Sequence, residues 1–112
     1  MKTRIGKDID DFVNELCRLF DPEKVILFGS HAVGKATPES DVDVLVLMDY
    51  KGKATQRAFE IRKAVRRNFP LDLIVRRPKD VSQRISQGDP FLREVMKNGR
   101  VVYERNSPGM GR

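Results

Sequence analysis

Residues 28–47 read FGSHAVGKATPESDVDVLVL, and two incompatible motifs overlap in them. Gly29, Gly34 and Lys35 match the spacing of a phosphate-binding P-loop, G-x-x-x-x-G-K-[ST]. The same stretch also holds a Gly-Ser step, ten intervening residues, and Asp-x-Asp leading a strand. The first reading fails on its own requirements. A P-loop needs Ser or Thr after the lysine to hold magnesium, and a long helix starting there to aim its dipole at the phosphates. Position 36 is Ala36, and Pro38 stands where that helix should be running. A chain of 112 residues also supplies too few strand–helix units for that fold.

The second pattern makes chemical sense. Residues two apart on a strand face the same side, so Asp41 and Asp43 project together, roughly 6–7 Å apart. Two carboxylates at that distance repel by about 2.5 kcal/mol at an effective dielectric of 20. A strand gains nothing from such a pair unless a cation lies between them. LDLIV (71–75) is a further strand with one acid inside it, Asp72, costly to bury without a partner. If this strand pairs with the one beginning at Asp41, the three acids converge, and an all-oxygen cluster suits magnesium or manganese. Gly29 and Ser30 supply the complementary half: a phosphate can approach the bare backbone, and free N–H groups with the Ser30 hydroxyl can bind its oxygens. The alternative reading gives Asp41 a turn role, leaves Asp43 exposed and places Asp72 on an edge strand. It needs three separate coincidences.

Outward from this stretch the periodicity is clear. DIDDFVNELCRLF (8–20) has Ile9, Phe12, Val13, Leu16, Cys17 and Phe20 on one stripe, an amphipathic helix with acids in its first turn and Cys17 in the core. VILF (25–28) and DVDVLVLM (41–48) read as strands. Residues 53–69 read as a helix with Ala54, Ala58, Ile61, Val65 and Phe69 inward and Arg57, Arg62, Lys63, Arg66 and Arg67 mostly outward, stopped by Pro70. Pro78 and Asp80 open a helical stretch, and Asp-Pro and Gly bracket another at 89–99 with Phe91, Leu92, Val95 and Met96 inward. Residues 100–104 form a short final strand. The order implies one α/β (α+β) domain over residues 1–105, a small mixed sheet with helices packed on one side, followed by a disordered tail at 106–112.

Composition bounds the function. There is no apolar run of membrane-spanning length and no secretory leader pattern, which points to a cytoplasmic protein with no membrane partner. The single cysteine, Cys17, rules out an internal disulfide and fits a reducing compartment. Residues 1–50 carry net charge −4 and residues 51–112 carry +10. The basic half could attract nucleotide phosphates, RNA or an acidic partner, or be a solvated surface.

Gly-Ser, ten residues, Asp-x-Asp and a later strand Asp, as FGS, SDVD and LDLIV in that order, resemble the nucleotidyltransferase superfamily of DNA polymerase beta. The small size resembles its minimal nucleotidyltransferase branch. The match covers roughly residues 23–76. The resemblance implies the DNA polymerase beta-like fold and a two-metal transfer of a nucleotide, with two Mg2+ ions that Mn2+ can replace. Asp41 and Asp43 would bind the metals. Asp72 would bind the catalytic one and help deprotonate the attacking hydroxyl, while Gly29, Ser30 and Lys35 would hold phosphates. Many relatives carry Arg after the Gly-Ser pair; this chain has His31.

The same resemblance implies a partner. Minimal nucleotidyltransferases are commonly paired with a small helical HEPN protein and act as antitoxin, in some cases moving AMP from ATP to a tyrosine of the toxin. The basic helix 53–69 is a candidate surface for the partner or the nucleotide. Two alternatives stay open: a module that neutralises its partner by contact alone, and a stand-alone transferase acting on a small molecule or RNA end. A homodimer or heteromer would cover the exposed apolar edge of so small a sheet.

Overall fold

The computed structural model describes residues 4–105, so the tail expected at 106–112 lies outside the described residues. The elements run α1 (Arg4–Phe20), β1 (Lys24–Phe28), α2 (Ser30–Val33), β2 (Val42–Leu47), α3 (Ala54–Ala64), β3 (Leu71–Arg76), α4 (Pro78–Ser86), α5 (Pro90–Asn98) and β4 (Arg100–Glu104). The four strands form one mixed sheet in the order β3-β2-β1-β4. β1 pairs antiparallel with β2 and with β4, whereas β2 and β3 run parallel, joined by the α3 crossover.

Helices cover both faces of this sheet, not one as the element order suggested. Val42, Val44 and Val46 of β2 pack with Ile9, Phe12 and Leu16 of α1 and Ile61 of α3. Leu45 and Leu47 of the same strand pack with Val81 of α4 and Leu92 and Val95 of α5. The reason is visible in β2 itself, which is buried at every position but Asp43. A strand covered on both sides reads as a continuous apolar run, and VLVLM is such a run.

Several element boundaries differ from expectation, and three bear on the packing or the site. α1 starts at Arg4, so Asp8, Asp10 and Asp11 fall inside it rather than in its first turn. Ile5, four residues before Ile9, packs against the same core and carries the stripe one turn further back. α3 ends at Ala64, where Val65 turns extended (φ −111°, ψ 120°). Pro70 disfavours helix in the residue before it, and Phe69 gains an edge-on contact with Phe12 at 5.7 Å from the extended chain. β2 begins at Val42, one residue after Asp41.

The basic residues are only partly a free face. Arg62 donates to Leu71 O at 2.7 Å and ties α3 to β3, and Arg57 pairs with Glu60 at 3.0 Å. Arg77 donates to Tyr50 O at 3.1 Å and Gly52 O at 3.2 Å. Its guanidinium lies 4.2 Å from the Tyr50 ring centre, which pins the chain leaving β2. Cys17 is half-buried beside the core, and burial with the Asp21 charge pushes its thiol up to about 11. Among the described residues no helix is long and apolar enough to cross a membrane.

Candidate active site

The carboxylates gather where β1 ends and β2 and β3 begin. In the parallel pair Asp43 lies opposite Asp72, and in the antiparallel pair Asp43 lies opposite Phe28. Alternation along β2 puts Asp43 on the face that Leu45 and Leu47 share with α4 and α5. That helical layer covers the far part of the face and leaves the near end open. Asp41 and Asp72 are exposed there, and Asp43 is half-buried between them.

The three acids are not equivalent. Asp43 has its carboxyl raised above the usual carboxylate range, first by desolvation, then by the charges of Asp72 and Asp41 and by a hydrogen-bonding contact with Asp72. His31 acts on it in the opposite sense. Like charges held this close are costly in the fold, and a cation or a proton between them relieves the cost. Asp43 and Asp72 are therefore partners at contact, with Asp41 acting through its charge. Among the described residues no group of three acidic, His or Cys side chains is placed to hold a metal ion. Magnesium is held by one or two carboxylates and completes its shell with waters and phosphate oxygens. Asp43 and Asp72, with Asp41 at hand, could hold it in that way.

Gly29 adjoins this cluster in a backbone conformation that a residue with a side chain adopts only under strain. Its backbone is left-handed (φ 73°, ψ −154°), and a Cβ built there would overlap Oδ2 of Asp43. The chain then turns into α2, where the first N–H groups have no helical partner. Gly34 closes that turn in the left-handed region, and the Lys35 N–H donates to Ser30 O at 3.0 Å. Ser40 shapes the approach to β2: its Oγ accepts from Thr37 N at 2.8 Å. Of the residues expected here from sequence, Gly29, Asp41, Asp43 and Asp72 come together, with Ser30 next in chain. Lys35 sits at the exposed far end of α2 and is not among the charges acting on Asp43.

Two features of this end were not legible in sequence. His31 lies on α2 against Ile5 and Ile9 of α1, acts on Asp43 only through its charge, and has its Nε2 buried without a hydrogen-bond partner. Phe91, expected in the core with Met96, is 44% exposed, and Met96 is 37% exposed. α5 presents only a narrow stripe, Leu92 and Val95, to the sheet. Phe91 instead stacks edge-on against Phe28 at 5.6 Å, beside Gly29. The only hint was an aromatic one residue off the stripe of its helix.

Known proteins resemble this chain in both sequence and shape. The model of the nucleotidyltransferase domain family matches residues 9–103. A Methanocaldococcus jannaschii protein named "Putative protein adenylyltransferase MJ0604" is 31% identical over 103 residues, spanning 87% of this chain and 96% of its own. The crystal structure of a "putative nucleotidyltransferase" from Sulfolobus solfataricus superposes with a TM-score of 0.63 at 24% identity, over 88% of this chain and 79% of that one. A toxin–antitoxin structure with AMP-PNP superposes with a TM-score of 0.52 at 19% identity, over 87% and 74% of the two chains. At these identities the two structural likenesses speak for the fold.

Proposed function

Because this chain belongs to the nucleotidyltransferase domain family, we propose that it is a magnesium-dependent protein adenylyltransferase. It moves AMP from ATP to a hydroxyl, a tyrosine of a HEPN-type helical toxin, and so serves as antitoxin. The observation that carries the reading is the Asp43–Asp72 pair in register across β2 and β3, abutting a glycine that admits no side chain. The name of the archaeal relative supports protein as the acceptor, and the toxin–antitoxin structure with AMP-PNP supports a nucleotide and a partner.

Each residue has a task. Gly29 lets the β- and γ-phosphates come against the backbone, where N–H groups and the Ser30 hydroxyl donate to their oxygens. Asp41, Asp43 and Asp72 would hold magnesium, which when bound supplies positive charge that offsets the phosphate oxygens. The acceptor oxygen forms a bond to the α-phosphorus while the bond from that phosphorus to the bridging oxygen breaks. Pyrophosphate leaves with the electron pair. Asp72, the exposed member of the pair, accepts the acceptor's proton.

The test is the intact mass of the helical partner co-expressed with this protein, compared with an Asp41→Ala, Asp43→Ala double variant. One or more AMP additions with the wild type alone bear out the proposal. Identical masses with the two proteins still co-purifying make the domain a module that neutralises by contact. Identical masses without co-purification direct the search to a small molecule or an RNA end.

A further inference from the structure

Beside the carboxylates lies a cavity of about 190 Å3, walled by Phe28, Gly29, Val33 and Phe91, with Glu94 and Asn98 among its lining residues. The core explains Phe28, which packs against it, but not the exposed apolar side chains of Phe91 and Val33. α5 is held to the sheet by Leu92 and Val95, while Phe91 and Val33 stand 44% and 49% exposed. We propose that this cavity receives the purine base of the nucleotide, with Phe91 as its stacking platform and the Glu94–Asn98 pair accepting from the base's exocyclic amine. The proposal rests on the placement of phosphates at Gly29 and Ser30 given above.

Position argues for the donor nucleotide rather than the acceptor. Across the sheet Asp72, Asp43 and Phe28 sit on adjacent strands in register. Strands lie about 4.8 Å apart, so the cavity is roughly 10 Å from Asp72, beyond Asp43. In phosphoryl-type transfer the attacking and leaving oxygens stand in line on opposite sides of the phosphorus. An acceptor hydroxyl beside Asp72 therefore keeps its own ring off the Phe28 side. The nucleotide, anchored at Gly29, is already there.

Size and chemistry agree. The volume is below the ~300–1,000 Å3 of pockets that enclose a whole drug-sized ligand, so it suits one planar ring system with ribose and phosphates outside. Aromatic side chains stack on any base, and polar groups select among them. Asn98 donates through Nδ2 to the Glu94 carboxylate, which orients the amide and leaves acceptor oxygens on both residues. Adenine and guanine each offer an exocyclic amine to such acceptors, so the pair holds the polar edge of a purine without choosing between the two.

The experiment is calorimetric titration of the full chain with three magnesium-loaded probes: AMP-PNP, GMP-PNP and inorganic tripolyphosphate. Phe91→Ala should weaken AMP-PNP about tenfold and leave tripolyphosphate within about twofold. Val33→Ser should repeat that selective loss from α2. Glu94→Gln, which replaces a charged acceptor with a neutral one, should weaken AMP-PNP and GMP-PNP alike, about threefold each, and leave tripolyphosphate within about twofold. If Phe91→Ala leaves AMP-PNP binding unchanged while tripolyphosphate still binds, the base lies elsewhere and the phosphate site stands. If the wild type binds neither AMP-PNP nor tripolyphosphate, the phosphate placement falls and the base pocket falls with it.

Discussion

Between the sheet and helices α1 and α3, sixteen described side chains are buried in one cluster; between the sheet and α4 and α5, six are. The larger layer is closed from Ile9 to Val75 and carries most of the apolar burial that stabilises the chain. The smaller layer stops short of the strand ends, and there the fold tolerates what a core does not: contacting carboxylates, a left-handed glycine and a half-exposed phenylalanine. The contrast teaches that one face of the sheet holds the protein together, while the open end of the other gathers the groups to which the proposed chemistry is assigned. Features that cost stability are gathered where a ligand would repay them.

The largest expected effect lies on the closed face. Phe12→Ala removes a side chain that is 1% exposed and stacked on Phe69, and should cost about 4 kcal/mol in urea unfolding. Nucleotide affinity, measured where the variant is still folded, should not change; a parallel loss of affinity would break the separation of the two faces. Leu92→Ala, in the thinner layer, should cost about 2.5 kcal/mol, because a partly open layer can settle into the space. Equal costs at the two sites would remove the contrast.

Gly29→Ala sits where the two roles meet. The left-handed backbone and the overlap with Asp43 should cost about 2 kcal/mol and abolish magnesium–nucleotide binding. A stable variant that still binds would show that the close approach at Gly29 is not used. The smallest effect concerns Cys17, half-buried at the rim of the closed face. With its thiol pushed up to about 11 by burial and then by Asp21, alkylation by iodoacetamide at pH 8 should be roughly a hundredfold slower than for a free thiol. The sign for stability follows. The folded state holds this proton more tightly than the unfolded one, so the contribution is complete below the ordinary cysteine range and is lost as pH rises toward about 11. Alkylation at the rate of a free thiol would place Cys17 outside the core.

Much of this division was legible in sequence, for identifiable reasons. The Gly-Ser step, Asp-x-Asp and Asp72 stood out because carboxylates and a bare turn contradict the apolar strands that carry them. The strands themselves followed from β-branched runs, and the Asp-Pro start of α5 is realised as Asp89 accepting from Leu92 N at 3.0 Å. The second helical layer was missed although VLVLM is apolar on both faces, because element order alone does not say which side a helix takes. Phe91 was misread because its partner Phe28 lies far away in sequence, and His31 was left undecided because its surroundings on α1 do too. The end of α3 at Ala64 was set by Phe69 reaching Phe12, a tertiary contact no local pattern contains.

The most direct test of the central claim is the melting temperature of the wild type and Asp43→Asn, each with and without Mg2+ and AMP-PNP. Asp43→Asn removes a charge disfavoured first by desolvation and then by Asp72 and Asp41, so without ligand it should melt higher than the wild type. Ligand should raise the melting point of the wild type and leave that of the variant unmoved. A variant that melts lower than the wild type and still gains stability from magnesium and nucleotide would mean that Asp43 serves the fold, and that the open end of the sheet is not the site of transfer.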